Sequence, residues 1–280
     1  MISGTVSRFT KAENGFERYG TNYGAGMNGT VGGDHVDFEG IEALAGVGGI
    51  DFDYSNGAAG QGDFLRGTHK NDTIDMGAGD DTVYGGDGND FVDSADGDDT
   101  VYGGTGDDTI WSYGGVDVLD GGAGDDRLEG GLGDDTTYGG DGNDTITDGY
   151  GLNVIEGGAG DDSIQAYDDG GSIDAGSGDD KVWVGSAANG HLKLQGGDGV
   201  DTIVLSGTRL HSFSAQGNGF EKLILTGNAF GTAANDSVDL LSLTNGNTGP
   251  NWVAFKAGDG NDTFSGTEGT TISTATRATT

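Results

Sequence analysis

Aspartate recurs along this chain at a spacing of nine residues. Between positions 58 and 183 it stands at Asp63, Asp72, Asp81, Asp90, Asp99, Asp108, Asp117, Asp126, Asp135, Asp144, Asp162 and Asp180, and only Asn153 and Gly171 interrupt the phase. A carboxylate that returns at a fixed interval behind a glycine-rich stretch suits a hard, oxygen-seeking cation. Calcium takes six to eight oxygens in flexible geometry from carboxylates and main-chain carbonyls. Magnesium demands a stricter octahedron and keeps its waters, and zinc would want His or Cys. The chain has no Cys, and its four histidines (His35, His69, His191, His211) show no ligand spacing, so they read as surface or packing residues.

Composition points the same way. Asp and Glu number 47 against 12 Lys and Arg, for a formal net charge of −35, and 61 of the 280 residues are Gly. A polyanion of this kind repels a phosphate backbone, which excludes a nucleic-acid partner. Cations are the partners such a surface attracts. No apolar run approaches the length of a membrane span, so membrane insertion is not expected. The opening "MISGTVSRFTKAENGF" lacks the apolar core of a cleaved signal, which predicts an extracellular or cell-surface protein exported by another route.

The carboxylates must be carried by a short repeating element. Written in nines from residue 58, the chain holds register through fourteen units to residue 183. Position eight of each is aliphatic (Leu65, Ile74, Val83, Val92, Val101, Ile110, Leu119, Leu128, Ile146, Ile155, Ile164, Ile173, Val182), with Thr137 the one exception. Each unit thus reads as a six-residue turn and a three-residue strand whose middle side chain points inward. Positions seven and nine face out, by the two-residue period of a strand. Glycines in the turn allow the positive φ angles of a tight reversal.

The units "GGDGNDFVD" (85–93), "GGTGDDTIW" (103–111), "GGAGDDRLE" (121–129), "GGDGNDTIT" (139–147) and "GGAGDDSIQ" (157–165) resemble the RTX nonapeptide, GGxGxDxUx with U aliphatic. The resemblance runs through 58–183, with isolated units at 196–204 (Asp201) and 257–265 (Asp262). It implies an all-β fold, a right-handed parallel β-roll with two nonapeptides per turn and calcium between successive turns. Units eighteen residues apart then share an edge. One edge keeps every aspartate: Asp72, Asp90, Asp108, Asp126, Asp144, Asp162 and Asp180. The candidate main-chain ligands beside them are the carbonyls of Gly85, Asp87, Gly103, Thr105, Gly121, Ala123, Gly139, Asp141, Gly157 and Ala159. The alternate units decay, so Asp63, Asp81, Asp99, Asp117 and Asp135 form a weaker edge that fades at Asn153 and Gly171. About six ions are expected on the strong edge and a few on the other.

Residues 1–57 read as an N-terminal β cap, 184–265 as an irregular continuation of the solenoid with irregular β structure closing that end, and 266–280 as an exposed tail. "FEGIEALAG" (38–46) and "FEKLILTG" (220–227) resemble each other and look like strands flanking such arrays. Tyr84, Tyr102 and Tyr138 fall at multiples of eighteen on one outer face. They are a candidate binding face for surface polysaccharide or a partner, weighed against simple stacking of aromatics on one another. Metalloprotease, esterase-elbow, CxxC and P-loop motifs are absent, so no enzyme is expected. The leading expectation is a secreted, calcium-folded structural or surface-assembly protein, capable of self-association. The alternatives are a calcium-dependent adhesin or the calcium module of a larger exported enzyme.

Overall fold

In the computed structural model the described residues are 62–167, 170–185, 193–205 and 219–225, together with short strands at 35–37, 51–53, 212–214, 229–230, 237–239, 244–245, 255–256, 263–265 and 272–273. Every regular element among them is a strand. The array is a parallel β-solenoid of about seven turns, consistent with a right-handed roll.

Two sheets face each other, and successive strands alternate between them. One runs through Phe64–Arg66, Thr82–Asp87, Thr100–Thr105, Val118–Ala123, Thr136–Asp141, Leu152–Ala159, Gly170–Ser177 and Lys193–Asp198. The other runs through Thr73–Asp75, Phe91–Asp96, Thr109–Gly114, Arg127–Glu129, Thr145–Asp148, Ser163–Ala166, Lys181–Val184 and Asp201–Leu205. Pairing joins residues eighteen apart, as in Val83 to Val101 to Leu119 and Val92 to Ile110 to Leu128. The strands are longer than three residues, because the chain stays extended into the first positions of the next turn.

The inward aliphatics at position eight form the core, from Leu65 and Ile74 through Ile173 and Val182, each at most 1% exposed. Thr137 lies in the same column and is equally buried; its hydroxyl donates to Asp148 at 3.4 Å. Glycine is needed where the chain bends between sheets. Gly140 has φ +116°, and a side chain there would strike the Gly122 carbonyl of the preceding turn.

Ala95 is the one described non-glycine residue with positive φ, at +63°, and the strand pairing is irregular beside it. An L-residue in that region costs about 1–2 kcal/mol relative to glycine. Ala95→Gly is therefore expected to raise the melting temperature of the calcium-loaded protein by a few degrees, measurable by thermal circular dichroism.

Both flanks extend the sheets. His35–Asp37 pairs with Phe64–Arg66 and Asp51–Asp53 with Thr73–Asp75, with Phe52 buried against the core. The expected N-terminal cap thus contributes a rung to each sheet. "FEGIEALAG" lies outside the described residues. "FEKLILTG" supplies the strand Phe220–Leu225, which pairs with Asp201–Leu205. Further on, Ser212–Ser214, Ser237–Asp239 and Thr263–Ser265 form a small parallel sheet. Ala229–Phe230, Phe255–Lys256 and Ile272–Ser273 form another, so the expected tail carries at least one paired strand.

Candidate metal centre

Each position-six aspartate sits where a turn ends and the next strand begins, and its side chain enters the space between turns. On the strong edge the main-chain N–H of each aspartate donates to Oδ1 of the aspartate in the following turn. The links run Asp72 to Asp90 (2.8 Å), Asp90 to Asp108 (2.7 Å), Asp108 to Asp126 (2.7 Å), Asp126 to Asp144 (2.8 Å), Asp144 to Asp162 (2.8 Å) and Asp162 to Asp180 (2.8 Å). The series continues from Asp180 to Asp201 at 2.9 Å across twenty-one residues. Asp201 is therefore the next rung of the same edge and not an isolated unit. Counting in eighteens hides it, because three extra residues lie in that turn. Asp262 lies outside the described residues.

One carboxylate oxygen on each rung serves the ladder and the other does not. Oδ2 of Asp90, Asp108, Asp126, Asp144, Asp162, Asp180 and Asp201 is buried with no hydrogen-bond partner. Leaving such an oxygen unsatisfied is costly, and a repeated omission calls for a ligand. What borders these oxygens is regular. A methyl group added to Gly85 would lie 2.5 Å from Asp90 Oδ2 and 2.5 Å from the Gly103 carbonyl oxygen. Added to Gly103, it would meet Asp108 Oδ2 at 2.5 Å and the Gly121 carbonyl at 2.6 Å. Gly121, Gly139 and Gly157 stand in the same relation to Asp126, Asp144 and Asp162, and to the carbonyls of Gly139, Gly157 and Ala175. Carboxylate and carbonyl oxygens thus converge beside each position-one glycine.

This donor set fits calcium. Among the described residues no three His, Cys, Asp or Glu side chains gather on one point, so a cation between turns would draw main-chain oxygens into its shell. Of the position-one carbonyls expected as ligands, those of Gly103, Gly121, Gly139 and Gly157 border the unpartnered carboxylates, and that of Gly85 lies beside Asp72. The position-three carbonyls are used differently. Those of Thr105, Ala123, Asp141 and Ala159 accept 2.7–2.8 Å bonds from the glycine N–H of the preceding turn, leaving one lone pair each. Asp87 also meets His69, with Nδ1 at 2.8 Å from its Oδ2. The first rung is special: Asp72 Oδ2 accepts from the Thr68 N–H at 2.7 Å and Oδ1 from the Thr68 hydroxyl at 2.9 Å.

A second ladder escaped the sequence reading. At position five, Oδ1 accepts the N–H of the position-five residue in the following turn. On the strong edge this runs from Asn71 through Asn89, Asp107, Asp125, Asn143, Asp161 and Asp179 to Val200, at 2.7–3.2 Å. The enrichment of Asn and Asp at that position was the available signal. These side chains are exposed, unlike the position-six set.

The weaker edge has the same position-six ladder, from Asp63 through Asp81, Asp99, Asp117 and Asp135 to Asn153. It ends there, because Gly171 has no side chain to continue it. On the outer face, Tyr84 and Tyr102 stack at 4.8 Å with a 14° interplanar angle, and Phe64 and Arg66 pack against Tyr84. Asp120 lies between Tyr102 and Tyr138 in the sheet register, so the three tyrosines do not form one continuous stripe.

Burial lifts the position-six carboxyls well above the usual carboxylate range. Asp90 rises to about 8, Asp81, Asp99, Asp126 and Asp162 to about 7, and Asp108, Asp135 and Asp144 to about 6; neighbouring aspartates add to the rise and the ladder N–H opposes it. A folded pKa above the unfolded one means that the metal-free roll gains protons on folding. That stabilisation is full below the ordinary aspartate pKa and is lost as pH rises through about 6 to 8. Two results are expected. Calcium should displace protons, so the calcium midpoint moves to higher concentration as pH falls from 8 to 6. In chelator, acidification from pH 8 to 5 should restore β signal, as read by circular dichroism.

The profile of the RTX calcium-binding nonapeptide repeat (four copies) matches residues 58–92, 93–128, 111–146, 138–169, 147–182 and 255–270. No curated protein and no solved structure matches the chain. The profile covers about half of the sequence, in the register in which the carboxylate ladders stack, and the chain belongs to the RTX calcium-binding repeat proteins.

Proposed function

We propose that this is a non-enzymatic, calcium-folded structural or surface-assembly protein that works outside the cell. The carrying observation is the run of unpartnered Oδ2 atoms from Asp90 to Asp162, each beside a position-one glycine. In this reading calcium bridges successive turns, held by position-six carboxylates and position-one carbonyls. With Asp201 on the edge the expected load there is about seven ions rather than six. RTX repeats are typical of exported proteins, which supports the extracellular assignment. Among the described residues no helix is long and apolar enough to cross a membrane.

Electron microscopy of the calcium-loaded protein tests the assembly role. Ordered lattices or filaments that disperse in chelator are expected, and monodisperse particles in saturating calcium would count against it. A second reading, calcium-dependent glycan binding, rests on the outer-face aromatics Phe64, Tyr84 and Tyr102. Tyr84 and Tyr102 already stack on each other, which favours their packing role.

A further inference from the structure

The two edges share the carboxylate ladder and differ at position one. On the strong edge that position is Gly67, Gly85, Gly103, Gly121, Gly139 and Gly157, then Ala175 and Gly196. On the other edge, from residue 76 on, it is Met76, Ser94, Ser112, Gly130, Asp148 and Ala166. All five side chains in that second set are buried, at most 1% exposed, and those of Met76 and Ala166 join the hydrophobic core.

Their contacts show what they do there. The Ser112 hydroxyl donates to Asp117 Oδ2, the atom whose counterpart on the strong edge has no partner. The Ser94 hydroxyl donates instead to the Trp111 carbonyl at 3.5 Å, and Asp99 Oδ2, like that of Asp81 and Asp135, is buried with no partner. Asp148 pairs with the position-six residue of its own turn, accepting the Asn153 side-chain amide at 3.0 Å on Oδ1. Gly130 follows the strong-edge pattern in sequence, in "GGLGDDTTY". Yet a methyl group there would meet, within 2.9–3.1 Å, only the carboxylate of Asp148 reaching in from the next turn. Asp148 is held in that place from the core side by Thr137.

We infer that the position-one side chain decides where calcium can enter, and that Met76, Ser94, Ser112 and Asp148 close the second edge to it. A Cβ at position one falls in the space that glycine leaves open beside Oδ2 and the neighbouring carbonyl on the strong edge, and at Ser112 and Asp148 hydroxyl and amide contacts complete the closure. The roll is therefore mineralised along one edge and held along the other by side-chain hydrogen bonds and packing. Asp81, Asp99 and Asp135 keep their ladder bonds and bury an unpartnered Oδ2 as the strong-edge aspartates do, so in this reading the position-one side chains, not a lack of carboxylate oxygens, exclude the ion.

This inference rests on the calcium reading above, and one experiment separates the two. Native mass spectrometry of the full chain titrated with calcium chloride is expected to show about seven ions, the number of strong-edge gaps between Asp72 and Asp201. About twelve ions, filling both edges, would overturn one-sided loading while leaving calcium binding intact. No bound calcium would remove the calcium reading itself and this inference with it. Ser112→Gly should add one ion, and Ser112→Gly with Asp148→Gly should add more; an unchanged count in both variants refutes the role of position one. Should the double variant fail to fold in calcium, the single variant decides, because Ser112→Gly removes only a hydroxymethyl group. Terbium luminescence, sensitised through nearby Trp111, gives a second readout of the new site in Ser112→Gly.

Discussion

In excess chelator at neutral pH the chain is expected to lose most of its β circular dichroism, and to regain it cooperatively at sub-millimolar to millimolar calcium. The thin core is one reason. Each turn buries one aliphatic side chain from each sheet, and between them the chain is dominated by glycine, which loses the most backbone freedom on folding. The carboxylate edge is the larger reason. Seven buried Oδ2 atoms have no partner on the strong edge, and each unsatisfied buried polar atom costs about 1–3 kcal/mol. Together that is on the order of 10 kcal/mol, as large as the whole stability of an ordinary domain. Protonation can relieve part of it at low pH, but near pH 8 only a cation can. A β spectrum that survives chelation at pH 8 would refute the proposal that calcium drives folding.

The second large effect concerns Gly140, in the middle of the strong edge. Gly140→Val is expected to destabilise the calcium-loaded roll by about 4 kcal/mol or more. Two costs combine at that site. The backbone stands at φ +116°, which β-branched residues do not tolerate, and the new side chain collides with the Gly122 carbonyl. The neighbour is main chain in a stacked turn and cannot swing aside. Because each turn of a solenoid is supported only by its neighbours, the damage should spread to the gaps on either side. The variant should therefore bind fewer calcium ions as well as melt earlier. Leu132→Ser, at an exposed position, is the control and should change stability by less than about 0.5 kcal/mol. If Gly140→Val melts like that control, close stacking of the turns is not what supports the roll.

Much of this was legible because the repeat writes its chemistry at fixed phase. The inward column from Leu65 to Val182 and the strong-edge aspartates could be read residue by residue, since burial and ligation fall at positions eight and six of every unit. The legible part stops where a side chain reaches across turns instead of along the chain. Asp148 opens a unit that reads as a degenerate copy, "DGYGLNVIE", yet its carboxylate fills the space beside Gly130, eighteen residues earlier. Thr137 looked like a lapse in the aliphatic column, and it is the hydrogen-bond donor that this buried acid needs. Asp201 was set aside as isolated because a search for an exact period passes over a turn of twenty-one residues.

That longer turn has a further consequence. The three extra residues fall between the strands Lys181–Val184 and Lys193–Asp198, on the edge opposite the Asp72–Asp201 ladder, and the link from Asp180 to Asp201 still closes at 2.9 Å. Added length there leaves the phase of the opposite side untouched, whereas the same insertion among Gly139–Asp144 would displace every later rung. The molecule thus has a spine that keeps time and a seam where the chain can gain or lose residues. Variation among related sequences, and any peptide grafted by design, should accumulate along that seam.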